Sequence, residues 1–109
     1  MKRTMLKSKI DQAKVTDANI EYEGSITIDA SLMTRADILP YEKVHVLCLD
    51  NGVRLETYAI PGAPNELAIN GAAARLIRTG DTLIILSYED MEDEQARNWA
   101  PRMILKAKT

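Results

Sequence analysis

Asp50-Asn51-Gly52 lies between two β-rich runs, residues 44–49 and 53–60. Asn-Gly between apolar runs is a strong hairpin signal, because both residues tolerate positive φ. This pairing commits the centre of the chain to antiparallel sheet. Residues 82–88 read as a further strand, 102–106 as a last one, and 26–28 as a short β-branched one. Helical signals are few and short. Over residues 30–38, Leu32, Met33, Ala36 and Leu39 fall near helical spacing, with Asp29 as N-cap. Asn70 is placed to cap a helix over residues 71–76. Residues 92–99 start acidic, carry Arg97 near their end and stop before Pro101, as a helix dipole favours. Pro61-Gly62-Ala63-Pro64 is a loop. The expectation is a mostly β chain.

With 109 residues and no linker-like tract, the chain reads as one domain, 1–109. So short a chain gains from oligomerisation. Its 46% hydrophobic and 28% charged residues are those of an ordinary globular protein. A net charge of −2 with scattered Lys and Arg argues against nucleic acid. Leu83-Ile84-Ile85-Leu86 is far too short to cross a membrane. Met1-Lys2-Arg3-Thr4 is not followed by an apolar segment, so no signal peptide is expected, and the cytoplasm is the default. The single Cys48, between Leu47 and Leu49, excludes an intrachain disulfide and reads as a packed thiol.

Residues 36–44 echo residues 74–82 at a spacing of 38: short helix, polar turn, strand. His45 is the only histidine and sits within a strand-like run. A lone strand histidine is more often structural, so neither a serine triad nor a metal site is supported.

Gly24-Ser25, within Glu21-Tyr22-Glu23-Gly24-Ser25-Ile26-Thr27-Ile28-Asp29, reads from patterning alone as a tight turn before a strand. It has company in three other blocks. Arg3-Thr4-Met5-Leu6-Lys7-Ser8-Lys9-Ile10 precedes it. Arg54-Leu55-Glu56-Thr57-Tyr58-Ala59-Ile60 and Ile69-Asn70-Gly71-Ala72-Ala73-Ala74 follow. In this order and near these spacings, the four blocks resemble the aspartate 1-decarboxylase family over nearly the whole chain.

The resemblance implies a double-psi β-barrel with a few short helices, assembled as a homotetramer with active sites between subunits. It implies self-cleavage between Gly24 and Ser25, sometimes with a maturation factor. Ser25 would become a covalent pyruvoyl group that forms a Schiff base with L-aspartate. The products would be β-alanine and CO2, for pantothenate and coenzyme A synthesis. Glycine at position 24 would leave the attacked carbonyl open and permit an unusual backbone conformation. The resemblance makes Thr57 the oxyanion donor in processing and a substrate contact, and Tyr58 the acid that reprotonates carbon. It makes Lys9 and Arg54 the cations for substrate carboxylates. Asn70 would lie beside the pyruvoyl group, and Gly71, Ala72 and Ala73 would offer backbone N–H groups.

Two features run against the pattern. Arg54 and Tyr58 share strand parity while Thr57 has the other, so a bulge or a subunit boundary is expected at the site. The family usually has His-Arg where this chain has Asp11-Gln12. Asp11 is expected on the same strand face as Lys9, where the pair would neutralise each other and weaken or alter substrate choice. The alternatives are therefore an uncleaved, non-catalytic barrel serving as a binding or assembly module, or a pyruvoyl decarboxylase of another amino acid.

Overall fold

The structure, a computed structural model, describes residues 1–106. In chain order it contains β1 (Lys2–Lys14), β2 (Asp17–Asn19), β3 (Ser25–Asp29), α1 (Ala30–Arg35), β4 (Lys43–Cys48) and β5 (Arg54–Gly62). Then come β6 (Leu67–Asn70), a 3₁₀ helix (Gly71–Arg75), β7 (Thr82–Glu92), α2 (Asp93–Ala96) and β8 (Arg102–Leu105). Among the described residues, no helix is long and apolar enough to cross a membrane.

The strand order is β2-β6-β3-β5-β4-β7-β1-β8. Only Val15 and Thr16 separate β1 from β2, so the sheet closes on itself into the double-psi β-barrel. Closure leaves few unpaired edges. The inward residues are apolar and branched: Ile10, Ile26, Ile28, Val44, Val46, Ile69, Leu83 and Ile85 are each at most 1% exposed. Cys48 joins them at 2%, and burial pushes its thiol pKa up.

The two halves repeat. β5 pairs antiparallel with β4 as far as Tyr58, then parallel with β3 from Ala59. β1 pairs antiparallel with β7 as far as Lys14, and its continuation β2 pairs parallel with β6. At each crossover a four-residue turn docks on the crossing strand. Tyr41 N–H donates to Ala59 O at 2.7 Å, and Gly80 N–H to Val15 O at 2.8 Å. In return Ala59 N–H donates to Glu42 O, and Val15 N–H to Asp81 O, both at 2.9 Å. Tyr41 therefore corresponds to Gly80, an offset of 39. The sequence echo at 38 identifies the right segments but is out of register by one residue in the turn.

The hairpin forms as expected, with β4 antiparallel to β5. Of Asn51 and Gly52, only Gly52 has positive φ, at 76°. The Asn51 side chain does other work: Oδ1 accepts from Val53 N–H at 3.0 Å and Nδ2 donates to Leu76 O at 2.7 Å. Helix α1 is shorter than the pattern predicts, because Asp37 turns left-handed (φ 56°) and Ile38 N–H closes back on Met33 O. Leu39 falls beyond it and is 67% exposed, not a core residue. The helix expected over residues 92–99 shrinks to α2. Glu92 is still in β7, paired with Lys2, and the Trp99 indole N–H donates to Leu6 O at 2.7 Å. The short strands β2 and β6 carry no sequence signal. Their partners are distant in the chain.

Asp29 ends β3 and caps α1 as expected. Its Oδ1 accepts from Ser31 N–H at 2.8 Å and its Oδ2 from Asn65 N–H at 2.7 Å. The Asn65 bond, then the Ser31 hydroxyl, hold its carboxyl at about 2, from an ordinary 3.8. The folded pKa is depressed, so this stabilisation is complete above about pH 3.8 and is lost as pH falls toward 2. Asp29→Ala is expected to destabilise the fold by about 0.5–2 kcal/mol, as loss of a helix cap does. Urea unfolding at pH 7 measures this, and the wild-type advantage should shrink between pH 4 and pH 2.

Candidate active site

β3 opens on Ser25, directly opposite Asn70 in the antiparallel β3–β6 ladder. The register brings Gly24-Ser25 beside Asn70-Gly71 across 45 residues of chain. Ser25 is 2% exposed and Asn70 5%. The Ser25 hydroxyl donates to Glu23 O at 3.1 Å and accepts from Asn70 Nδ2 at 3.0 Å. The same amide nitrogen donates to Thr27 Oγ1 at 2.9 Å. Both amide protons of Asn70 are thus used sideways, and its side chain does not cap the 3₁₀ helix. The capping role expected of Asn70 is replaced by a grip on Ser25.

Gly71 has φ 74°, and a Cβ there would stand 2.7 Å from Gly24 Cα and 2.8 Å from Gly24 N. Only glycine allows this approach of two backbones. Gly24 itself is different. It is not left-handed, and a Cβ on it would meet nothing within 4 Å. The unusual backbone conformation anticipated at Gly24 belongs to Gly71.

Gly24 lines a cavity of about 480 Å³. Asn70, Ala72 and Ala73 line it beside Gly24, and four consecutive β5 residues, Leu55, Glu56, Thr57 and Tyr58, line it opposite. Four consecutive residues cannot belong to one strand face. The cavity runs along the edge of β5, where β4 is paired on one side and β3 joins only at Ala59. Thr57 and Tyr58 therefore share a cavity without a bulge, since β5 keeps a continuous register with both neighbours. The Thr57 hydroxyl has no hydrogen-bond partner among the described residues, which leaves it open to a ligand. Tyr58 packs its ring against Tyr41, with centroids 6.0 Å apart.

Lys9 and Arg54 do not line this cavity. Arg54 is exposed at the start of β5, opposite Leu47. Lys9 pairs with Leu86 and Met103 on the far side of β7. Through Leu86 and His45 it lies three strands from Glu56, about 14 Å along the sheet. Asp11 sits in a β1 bulge between Ile10 and Ala13. Its Oδ1 accepts from the N–H of left-handed Gln12 at 2.9 Å. No ion pair joins it to Lys9. Lys9 and Asp11 keep regular alternation against Met103 and Leu105 of β8, as the shared face predicts, but the Asp11 carboxylate is turned to the Gln12 N–H and makes no direct pair with Lys9.

Glu56 is a cavity residue that sequence reading missed. Lys43 Nζ lies 3.1 Å from its carboxylate and His45 Nε2 3.2 Å. Lys43 first, with His45, holds this carboxyl below its ordinary range. Its position two residues from Tyr58 was the available signal. His45 also bonds the Tyr88 hydroxyl at 2.8 Å through Nδ1, the structural role read from sequence.

The family model for aspartate decarboxylase matches residues 1–109. The chain belongs to the aspartate decarboxylase family. It is 58% identical over 106 residues to the aspartate 1-decarboxylase of Thermoanaerobacter pseudethanolicus, covering 95% of this chain and 91% of that relative. It is 56% identical to that of Desulfitobacterium hafniense, over 95% of this chain and 84% of the relative. For the Clostridium novyi protein of the same name the identity is 48%, over 95% and 86%. In this aspartate decarboxylase family member, Ser25, Asn70, Thr57 and Tyr58 converge from three strands on one end of the barrel.

The two glycines should respond differently to one added methyl group. In a Ser25→Ala background, Gly71→Ala is expected to lower stability by about 1–3 kcal/mol, from backbone collision and left-handed strain. Gly24→Ala should change it by less than about 1 kcal/mol. Thermal unfolding of both variants measures the difference.

Proposed function

We propose that this chain cleaves itself between Gly24 and Ser25 and then decarboxylates L-aspartate to β-alanine and CO2, as a pyruvoyl-dependent carboxy-lyase of pantothenate and coenzyme A synthesis. The observation that carries the proposal is the Ser25 hydroxyl, buried and gripped by Asn70, one peptide bond from a glycine that opens on a cavity. A turn serine would face water.

Processing uses residues already present. Ser25 Oγ attacks the Gly24 carbonyl carbon, and the Ser25 amine leaves as the chain shifts to an ester. Thr57 donates to the oxyanion, a role best filled by a hydroxyl not otherwise engaged. The Asn70 amide orients Oγ. Elimination releases the Gly24 carboxylate and leaves dehydroalanine at position 25. Water then hydrolyses its enamine form, and ammonia departs. The same donors suit the resulting keto oxygen, because Asn70 presents N–H groups and so favours an acceptor.

A pyruvoyl group supplies an electron sink for the carbon that loses CO2. The chain supplies the rest. Tyr58, at the cavity edge, gives a proton to that carbon. Backbone N–H groups at Ala72 and Ala73 face the substrate, with Gly71 setting their height against Gly24. Lys9 and Arg54 lie outside the cavity of their own chain, so a complete carboxylate site draws on a second copy. This supports a homotetramer with sites between subunits; as an enzyme of coenzyme A synthesis it would work in the cytoplasm. Asp11 is engaged with its own backbone, which favours aspartate over a different amino acid.

Denaturing mass spectrometry after prolonged warm incubation, with and without cell extract, tests processing. Two species are expected, one of 24 residues ending at Gly24 and one of 85 residues with a blocked start. A single uncleaved 12.2 kDa chain under all conditions would overturn the enzyme reading in favour of a non-catalytic barrel. Ser25→Ala should abolish cleavage, and Thr57→Val should slow it by about 10²–10³, the usual effect of losing one oxyanion donor.

Tyr58→Phe separates the two stages. Cleavage should proceed normally while β-alanine formation falls by about 10²–10⁴, the range for a lost general acid. Parallel assays of intact mass and product read both.

A further inference from the structure

We propose that Tyr41 is a positioning residue for Tyr58, retained at a strained backbone position because its ring fixes the ring of the acid. The inference rests on the reading of Tyr58 as proton donor.

Residues 39–42 form a β-turn closed by Glu42 N–H to Leu39 O at 3.1 Å, with Pro40 second and Tyr41 third at φ 71°. Proline followed by positive φ is the signature of a type II turn, whose third residue is ordinarily glycine or asparagine. A bulky side chain there is strained. The other half of the barrel confirms what the position requires. The corresponding turn, residues 78–81, is closed by Asp81 N–H to Arg78 O at 3.0 Å, and its third residue is Gly80 at φ 94°. Both turns dock on their crossing strand with the same backbone bonds, so those bonds do not call for a tyrosine.

Burial does not account for Tyr41 either. Its side chain is 76% exposed, so it removes little apolar surface from water. What distinguishes it from Gly80 is one contact, the Tyr58 ring 6.0 Å away and inclined at 34°, within the range of favourable aromatic pairs. Tyr58 stands at the free edge of β5, where β3 has not yet joined, and so lacks a neighbouring strand on its cavity side. The Tyr41 ring backs Tyr58 from the other side, that of β4, where the turn of residues 39–42 bonds Ala59. Strain held at a site residue's neighbour is a recognised trade of stability for function.

The test compares Tyr41→Asn, Tyr41→Phe and Tyr58→Phe with the wild type, each as fully cleaved protein. Steady-state β-alanine formation, thermal unfolding, extent of self-cleavage and assembled mass by light scattering are measured for each. Asparagine relaxes the turn and removes the ring, so Tyr41→Asn should raise Tm and yet lower kcat. The fall should be about 10–100-fold, the scale of a misplaced catalytic group, with KM and cleavage unchanged. Tyr41→Phe keeps the ring and should restore kcat. The inference is overturned if Tyr41→Asn keeps wild-type kcat, lowers Tm, or dissociates the assembly, the last making Tyr41 a subunit contact. It is also overturned if Tyr41→Phe is as slow as Tyr41→Asn. The two readings fail separately: an active Tyr58→Phe removes the acid assignment, whereas an inactive Tyr58→Phe beside a fully active Tyr41→Asn removes only the role of Tyr41.

Discussion

The antiparallel pairing of β3 with β6 is the contact on which the rest of the molecule depends. It joins the two repeating halves of the barrel, and its first rung sets Ser25 against Asn70. Strand register permits no half measures. A slip of one residue would turn every side chain to the opposite face, exposing Ile26 and Ile28 and removing Ser25 from its amide partner. The apolar core therefore enforces the position of Ser25 against Asn70. Core burial and the Ser25–Asn70 contact are specified by the same five residues of β3.

Two left-handed backbone positions flank the Thr57–Tyr58 edge. Gly71 must lack a side chain because Gly24, in the loop before Ser25, stands 2.7 Å from where a Gly71 Cβ would lie. Tyr41 carries a large side chain where its counterpart, Gly80, carries none. At the first position a missing atom permits a close approach. At the second an extra ring occupies a place the backbone would rather leave empty. Both lie at the same end of the barrel, one on each side of the Thr57–Tyr58 edge, whereas Gly80, by the opposite crossover, carries no comparable group.

The cavity belongs to an edge and not to a face. β5 has a partner on one side over Arg54 to Tyr58 and gains its second only from Ala59. That interval of missing pairing makes room for Gly24 and the 3₁₀ helix, and it lets residues of both parities line one cavity. The cations lie outside it, Lys9 on β1 and Arg54 at the start of β5.

Much was legible from sequence because it depends on neighbours in the chain. The Asn51-Gly52 hairpin, the Asp29 cap, the buried Cys48 and the β-rich character follow from turn chemistry, capping and apolar pattern. The four blocks that mark the family were equally visible, and with them Ser25, Thr57, Tyr58 and Asn70. Other features depend on contacts between distant residues. The strands β2 and β6 exist because they pair with each other and with β3, not because three or four residues prefer to be extended. Asn70 sits where a cap is expected, yet its amide turns to Ser25 because the ladder places that hydroxyl alongside. Asp11 shares parity with Lys9 as expected, but left-handed Gln12 offers its N–H to the Asp11 carboxylate. Local pattern determined what each segment could be. Long-range pairing decided which side chains meet, because register and closure are properties of the whole barrel.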